Sequence, residues 1–381
     1  ILKDVFSGNT GLFGLFDLFS GGAFSNFTIF ALSITPYVTA SIILQLLTIA
    51  IPSLEALAKE GTEGKKKIAQ YTRYGTVVLA FIQAIGMSVA LSRTGAIVNP
   101  GFLASFIICV SLTAGTAMLM WIGEMITEKG IGNGISLIIF CGIVARIPSQ
   151  IVGVGQEVSS GMAGYFSVLL LIILVLVIIA AVVAMNEGQR RLPIQYAKRV
   201  VGRRMYGGQS TFLPLKVNAA GVIPIIFAMS LGMFPATIGS WMSPTSAFNV
   251  FVNQYFNFSS VLYNVFYAAL IVFFTYFYVA IIFNPLDVAD NIKENGGFVP
   301  GIRPGRPTAE YIDRVLSRLT TVGGVFLALI AILPNIVIAI TGVKSLWFGG
   351  TALLIVVGVA LDTMKQVESQ MLLRSYEGFV K

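Results

Sequence analysis

The most constraining feature of this sequence is a stretch of 21 residues, 165–185, that contains no charged side chain. It reads YFSVLLLIILVLVIIAAVVAM. A helix needs about 20 mostly apolar residues to cross the hydrocarbon core of a bilayer. Only 11% of the whole chain is charged, whereas soluble domains carry roughly 25%. The sequence therefore predicts an all-α polytopic membrane protein.

Eight further apolar stretches bring the predicted membrane spans to nine. The nine cover residues 27–50, 70–92, 102–122, 135–155, 165–185, 218–240, 259–284, 319–340 and 346–364. With these spans, 21 of the 25 Lys and Arg residues fall on one side of the membrane. The positive-inside rule makes that side cytoplasmic. It therefore also places the C-terminal tail, 365–381, in the cytoplasm.

Two of the cytoplasmic connections are longer than a link between neighbouring helices requires. Loop 186–217 carries seven basic residues against one acid, and loop 285–318 contains the turn VPGIRPGRP at 299–307. Prolines restrict the chain there, and arginine suits the recognition of carboxylates or phosphates. We expect both loops to form an ordered docking surface for a soluble partner. The short basic run KKK at 65–67 is expected to contact anionic lipids.

The residues that most enzymes and ion-coupled carriers need are missing from this sequence. It has no histidine, which excludes a Ser-His-Asp triad and a His-ligated metal. Cys109 and Cys141 lie in apolar stretches without CxxC spacing and are expected to be ordinary small hydrophobic residues. No carboxylate lies at the centre of a predicted span. The motif GIGNG at 130–134 is typical of a tight turn before a helix. We expect neither enzyme activity nor a cofactor.

Five long motifs, in the right order, resemble the SecY family of bacterial protein-conducting channels. They are FSGGAFSNFTIFALSITPYVTASIILQLL (19–47), KKKIAQYTRYGT (65–76), GEMITEKGIGNGIS (123–136), QSTFLPLKVNAAGVIP (209–224) and FVPGIRPGRPTAEYI (298–312). The resemblance implies a SecY-type ten-helix channel with two pseudo-symmetric halves, 1–155 and 156–364. Nine spans and a short plug helix would be present here. Since nine spans with a cytoplasmic C-terminus put the N-terminus outside, we expect the family's first helix to be missing from this chain.

The resemblance also implies which residues form the conduit. An aliphatic ring would seal loosely around any polypeptide and resist ion flow by dewetting, and it would consist of Ile34, Val38, Ile135, Ile139, Ile226 and Ile355. A plug at 12–22 would close the external side, with Leu15, Phe16, Asp17, Leu18 and Phe19. Without the resemblance, ordinary packing is the simpler interpretation of any one of these isoleucines.

A lateral gate towards lipid is implied between spans 27–50 and 70–92 on one side and 218–240 and 259–284 on the other. Gln45 and Asn218 would be its polar contacts. Interhelical hydrogen bonding is the simpler interpretation of such polar residues when they are considered alone.

The same resemblance implies the function and the partners. The channel would pass unfolded secretory polypeptides across the bacterial plasma membrane and release transmembrane segments laterally. It would be opened by a signal sequence, driven by the SecA ATPase or the ribosome, and accompanied by the small subunits SecE and SecG. The docking residues would be Arg303, Arg306, Lys198, Arg199, Arg203 and Arg204.

Two other classes of protein remain open at this point. A secondary transporter of a small solute, with an inverted repeat, is disfavoured by the missing intramembrane charges and the large basic loops. A membrane scaffold without a conduit fits the composition but leaves the aliphatic ring unexplained.

Overall fold

A computed structural model describes residues 20–24, 26–93, 101–161, 164–196, 199–201, 204–206, 210–241, 246–256, 260–341 and 350–377. A helix coincides with each of the nine predicted spans, which confirms their helical character. These helices are α1 (Thr35–Ala50), α3 (Thr62–Arg93), α4 (Phe102–Lys129), α5 (Gly134–Ser159), α6 (Tyr165–Glu187), α7 (Ile223–Trp241), α9 (Val261–Ile282), α11 (Arg306–Thr341) and α12 (Gly350–Glu377). Shorter helices are α2 (Pro52–Lys59), α8 (Ala247–Tyr255) and α10 (Pro285–Glu294).

Five helices of the described part are long and apolar enough to cross a membrane: α4, α5, α6, α9 and α11. A sixth span results if α1 and α2 are counted together, although they are bent by 105° relative to each other. The bend has a local cause, because a proline disfavours helical backbone in the residue before it. Ile51, which precedes Pro52, is extended, with φ −109° and ψ 112°. The count of nine spans remains a prediction.

The motif GIGNG forms the tight turn that the sequence predicts. The side-chain oxygen of Asn133 accepts hydrogen bonds from the backbone N–H groups of Ile135 and Ser136, at 3.1 and 3.2 Å. This is the usual way to satisfy free N–H groups at the start of a helix. Gly132 has φ +86°, a conformation that glycine adopts without steric cost. The chain can therefore reverse between α4 and α5 within four residues, Gly130–Asn133.

The reversal brings α5 into direct backbone contact with α4. A Cβ atom on Gly134 would lie 2.0 Å from the carbonyl oxygen of Gly123. The backbone N–H of Gly134 also donates to the hydroxyl oxygen of Thr127, at 2.9 Å. Only glycine at position 134 allows the two helices to approach this closely.

The two long loops contain β-strands, which the sequence pattern did not predict. Their strands are β1 (Gln189–Tyr196), β2 (Arg199–Val201), β3 (Arg204–Tyr206) and β4 (Ser210–Lys216) in the first loop and β5 (Gly297–Phe298) in the second. β1 pairs with β4 and β5, both antiparallel, in a sheet of order β4-β1-β5. β2 and β3 form a separate two-stranded ribbon. Part of the predicted loop 285–318 is helical, since it includes α10 and the first turns of α11.

One small hydrophobic core holds the two loops together. Along β1, Leu192 and Ile194 are buried while their neighbours are exposed, the alternation expected of a half-buried strand. They pack in one cluster with Leu215 of β4, Ile292 of α10 and Ile312 of α11. The two loops thus form a single folded unit attached to α11.

The helices share a larger core that includes both predicted halves. Its buried members include Ile42 of α1 and Ile143 of α5 from the first half, and Tyr267 of α9 and Leu327 of α11 from the second. Across the predicted gate, α7 contacts both α1 and α3. The halves are therefore packed against each other.

Gly134→Ala is expected to destabilise the protein by about 1–3 kcal/mol, because the added methyl group forces α4 and α5 apart. Gly155→Ala on the same helix is the matched control, since nothing lies within 4 Å of its added Cβ. That variant should be neutral or more stable by up to about 1 kcal/mol, as alanine is the better helix former. Thermal unfolding in detergent measures both, and equal effects would contradict the close helix contact.

Candidate functional site

The six residues of the predicted aliphatic ring lie in one hydrophobic cluster. Ile34, Ile139 and Ile355 are among its buried members, and the other three are partly buried and pack against it. They come from four different parts of the chain: the start of α1, the first turns of α5, α7 and α12. Within α5, the two ring positions are four residues apart, so both lie on one face of the helix. The structure thus brings together residues separated by more than 300 positions.

A cavity of about 470 Å³ reaches this cluster. Ile139, Ile226 and Ile355 contribute to its wall. The rest of its lining includes polar and charged residues from the end of α6, the end of β4 and the middle of α12, among them Asn186, Lys216, Asn218, Asp362 and Lys365. An aqueous, mixed-charge space therefore leads to an aliphatic floor.

Ion pairs and close contacts join the connections that the charge pattern places on the cytoplasmic side. Lys365 of α12 pairs with Glu187 of α6 at 2.7 Å. The guanidinium of Arg73 pairs with Glu124 at 2.8 Å and so links α3 to α4. A Cβ atom on Gly132 would lie 3.4 Å from the hydroxyl of Thr363, so the turn before α5 reaches α12. These segments lie on one side of the bundle, as their charge predicts.

The two predicted gate residues do not contact each other as a pair. Asn218, just before α7, is buried and donates a hydrogen bond from its amide nitrogen to the side-chain oxygen of Asn186, at 2.8 Å. Gln45 is half-buried near the end of α1. Their gate role therefore remains a prediction. Sequence reasoning missed Asn186, because a polar residue at the end of an apolar run is usually just a helix end.

Arg303 lies exposed in the proline-bounded turn 299–307. Gly301 and Gly305 on either side of it have φ +82° and +95°. The hydroxyl of Thr308 donates to the backbone carbonyl of Arg303 at 2.8 Å and fixes the turn to the start of α11. Arg306 begins α11, and its exposed guanidinium lies 3.5 Å from Glu310.

The remaining docking candidates belong to the tip of the first loop. Arg199 lies in β2 opposite Tyr206, and Arg204 lies in β3 opposite Val201. Lys198 and Arg203 lie outside the described residues, so their role remains a prediction.

The match to known families is extensive. The sequence model of the SecY family matches residues 28–364. The chain is 48% identical over 393 residues to protein translocase subunit SecY of Streptomyces coelicolor, which covers 99% of this chain and 89% of that protein. The chain belongs to the SecY family.

Other SecY relatives are equally similar. Identity is 49% over 400 residues to the SecY subunit of Mycobacterium tuberculosis H37Rv, covering all of this chain and 89% of the relative. It is 49% over 373 residues to that of Escherichia coli K12, covering 96% and 84%. The protein is accordingly a multi-pass membrane protein and a protein-conducting channel of the translocase.

Solved structures share the SecY fold at low sequence identity. One, titled as the structure of a protein conducting channel, has a TM-score of 0.64 at 19% identity and covers 90% of this chain and 82% of its own. A second, whose title describes a SecY plug domain that stabilises the closed state, has a TM-score of 0.63 at 18% identity and covers 94% and 90%. This likeness confirms the SecY-type channel fold.

The five plug residues predicted in this SecY chain, Leu15 to Phe19, lie outside the described residues. The end of the predicted segment 12–22 is described, and it forms a turn in which Gly21 has φ +65°. A Cβ atom on Gly21 would lie 3.2 Å from Cα of Gly142 on α5. This end of the segment therefore rests directly on a helix that carries two ring residues.

Ile355→Asn is expected to loosen the ring of this SecY channel, because a buried amide without partners costs about 1–3 kcal/mol in the packed state. Export of a precursor with a defective signal sequence should rise on the order of tenfold, together with ion leak through reconstituted channels. Leu354→Asn is the control, since Leu354 is equally buried on α12 but does not line the cavity. It should lower the yield of folded protein without raising leak. Unchanged leak and export in Ile355→Asn would contradict the ring assignment.

Proposed function

We propose that unfolded secretory polypeptides cross the membrane through the aliphatic ring of Ile34, Val38, Ile135, Ile139, Ile226 and Ile355. The observation that carries this proposal is the convergence of all six in one cluster at the floor of the 470 Å³ cavity. Branched aliphatic side chains offer no hydrogen bond and no charge to a passing chain. Such a ring accepts any sequence and excludes ions by dewetting when it is closed.

Lateral release of transmembrane segments would occur where α7 meets α1 and α3. These contacts join the two halves of the chain, and an apolar segment that parts them exchanges helix packing for lipid. The plug at 12–22 would close the external side, next to Gly142. Transport of a small solute is not favoured, since no charged pair lies at the middle of the described spans to bind a coupling ion.

The folded unit of the two loops would be the docking site for the SecA ATPase or the ribosome. Arg303 presents an exposed cation on a turn that Thr308 fixes to α11. Because Ile292 and Ile312 share the small core with β1 and β4, force applied at the turn reaches both loops and α11 together. Two solved structures of the same fold are titled as ribosome-bound channels.

The remaining partners and the location complete the proposal. SecE and SecG would cover exposed apolar faces of the bundle, and Lys65, Lys66 and Lys67 would contact anionic lipids. The charge bias of 21 basic residues out of 25 supports a bacterial plasma membrane protein with a cytoplasmic C-terminus.

A stalled secretory chain is expected to cross-link to cysteines placed at Ile34 and Ile226, because both positions would touch the polypeptide in transit. Cys109 and Cys141 are first replaced by alanine to remove background. Leu176→Cys is the control, since Leu176 is 61% exposed on the outer surface of the charge-free helix α6. Gel analysis should show adducts at the two ring positions and none at 176. Adducts at 176 alone would overturn the proposed path.

Arg303→Glu is expected to reduce motor-driven translocation by tenfold or more, as an exposed interface arginine is replaced by the opposite charge. The amount of folded protein should not change. Arg314→Glu is the matched control, because it makes the same charge change at an exposed position of α11 outside the turn. Translocation into membrane vesicles with purified SecA measures both. Equal rates for Arg303→Glu and the native chain would contradict the docking role.

A further inference from the structure

Asn218 is a buried amide at the start of the predicted gate helix α7. Only 7% of the residue is exposed. Its amide nitrogen donates to the side-chain oxygen of Asn186 at 2.8 Å, while its own side-chain oxygen is buried without a partner in the described part of the chain. Asn186 therefore supplies the hydrogen bond that satisfies the donor side of this amide.

The helices around Asn218 leave little space for another partner. A Cβ atom on Gly323 of α11 would lie 2.8 Å from the carbonyl oxygen of Val217 and 3.9 Å from Cα of Asn218. A Cβ atom on Gly358 of α12 would lie 2.7 Å from Val222. The segment that leads into α7 is thus held closely by α11 and α12.

The hydrogen bond does not cross the predicted gate. Asn186 ends α6, so both asparagines belong to the second half, 156–364, whereas Gln45 lies in the first half. The bond therefore cannot act by tying one half to the other. It acts through burial, because the donor of Asn218 needs a protein partner only while water is excluded from it.

We propose that Asn186 is a positioning residue that stabilises the shut gate by satisfying the amide of Asn218. This inference rests on the proposed channel function and on the gate at α1, α3 and α7. When the gate parts, water from the funnel reaches Asn218, and the bond to Asn186 is no longer needed. Loss of Asn186 consequently raises the free energy of the shut state and leaves the open state nearly unchanged.

The inference gives three variants with different expected results. Asn186→Leu removes the acceptor and should raise export of a defective-signal precursor, relative to an intact one, by about tenfold, the usual effect of one buried unsatisfied group. The double variant Asn186→Leu/Asn218→Leu should return this ratio close to the native value, because two apolar partners leave no unsatisfied group. Asn186→Asp keeps an acceptor oxygen and should restore the native ratio. Gln366→Leu, which removes another amide from the cavity wall, is the matched control.

The ratio of the two precursors separates gating from general damage, since a misfolded channel exports less of both. A native ratio in Asn186→Leu, or a double variant as relaxed as the single one, overturns the inference. Each variant also carries a cysteine at Ile226 for cross-linking of the intact precursor. Loss of that cross-link in the otherwise native chain overturns the proposed channel path, whereas a native ratio with the cross-link retained overturns only the role of Asn186.

Discussion

The structure depends on one constraint, which is that polar groups inside a bilayer must find partners within the protein. The spans satisfy it first through helical backbone and then through side chains that bond to their own helix. The hydroxyls of Thr39, Thr76 and Thr275 each donate to the carbonyl four residues earlier, at 3.0, 2.7 and 2.7 Å. Thr39 thus bonds within α1 and not, as expected from sequence, to a neighbouring helix. Among the described spans, few polar groups are left to join helices to each other.

This economy of polar contacts suits a channel whose walls must separate. If many hydrogen bonds crossed from α1 to α7, parting them would leave several unsatisfied groups at once. Instead, the amide of Asn218 bonds to Asn186 in the same half of the chain. Contacts across the gate are then mainly apolar, and an incoming apolar helix can replace them at low cost.

The aqueous side follows a different rule. There, strands from two distant loops assemble on a small core around Leu192 and Ile312. The result is a folded unit that presents the Arg303 turn and is continuous with α11. A partner that binds the turn therefore acts on a rigid element and not on a flexible loop.

The sequence by itself determined the helical spans, the side of the membrane on which the basic residues lie, and the turn at Asn133. Each of these depends on local composition or on neighbours within a few residues, because apolar length, charge and capping act at short range. The five motifs also predicted the family and the members of the aliphatic ring, since each motif is a contiguous stretch of the chain.

Only the tertiary structure decided which distant residues meet. Ile34 and Ile355 belong to one cluster, Asn186 is the partner of Asn218, and β5 pairs with β1. Strands of two to eight residues in charged loops carry too weak a pattern to be predicted. Their formation, like the Asn186–Asn218 bond, depends on packing against α10, α11 and α12, and that packing exists only after the chain has folded.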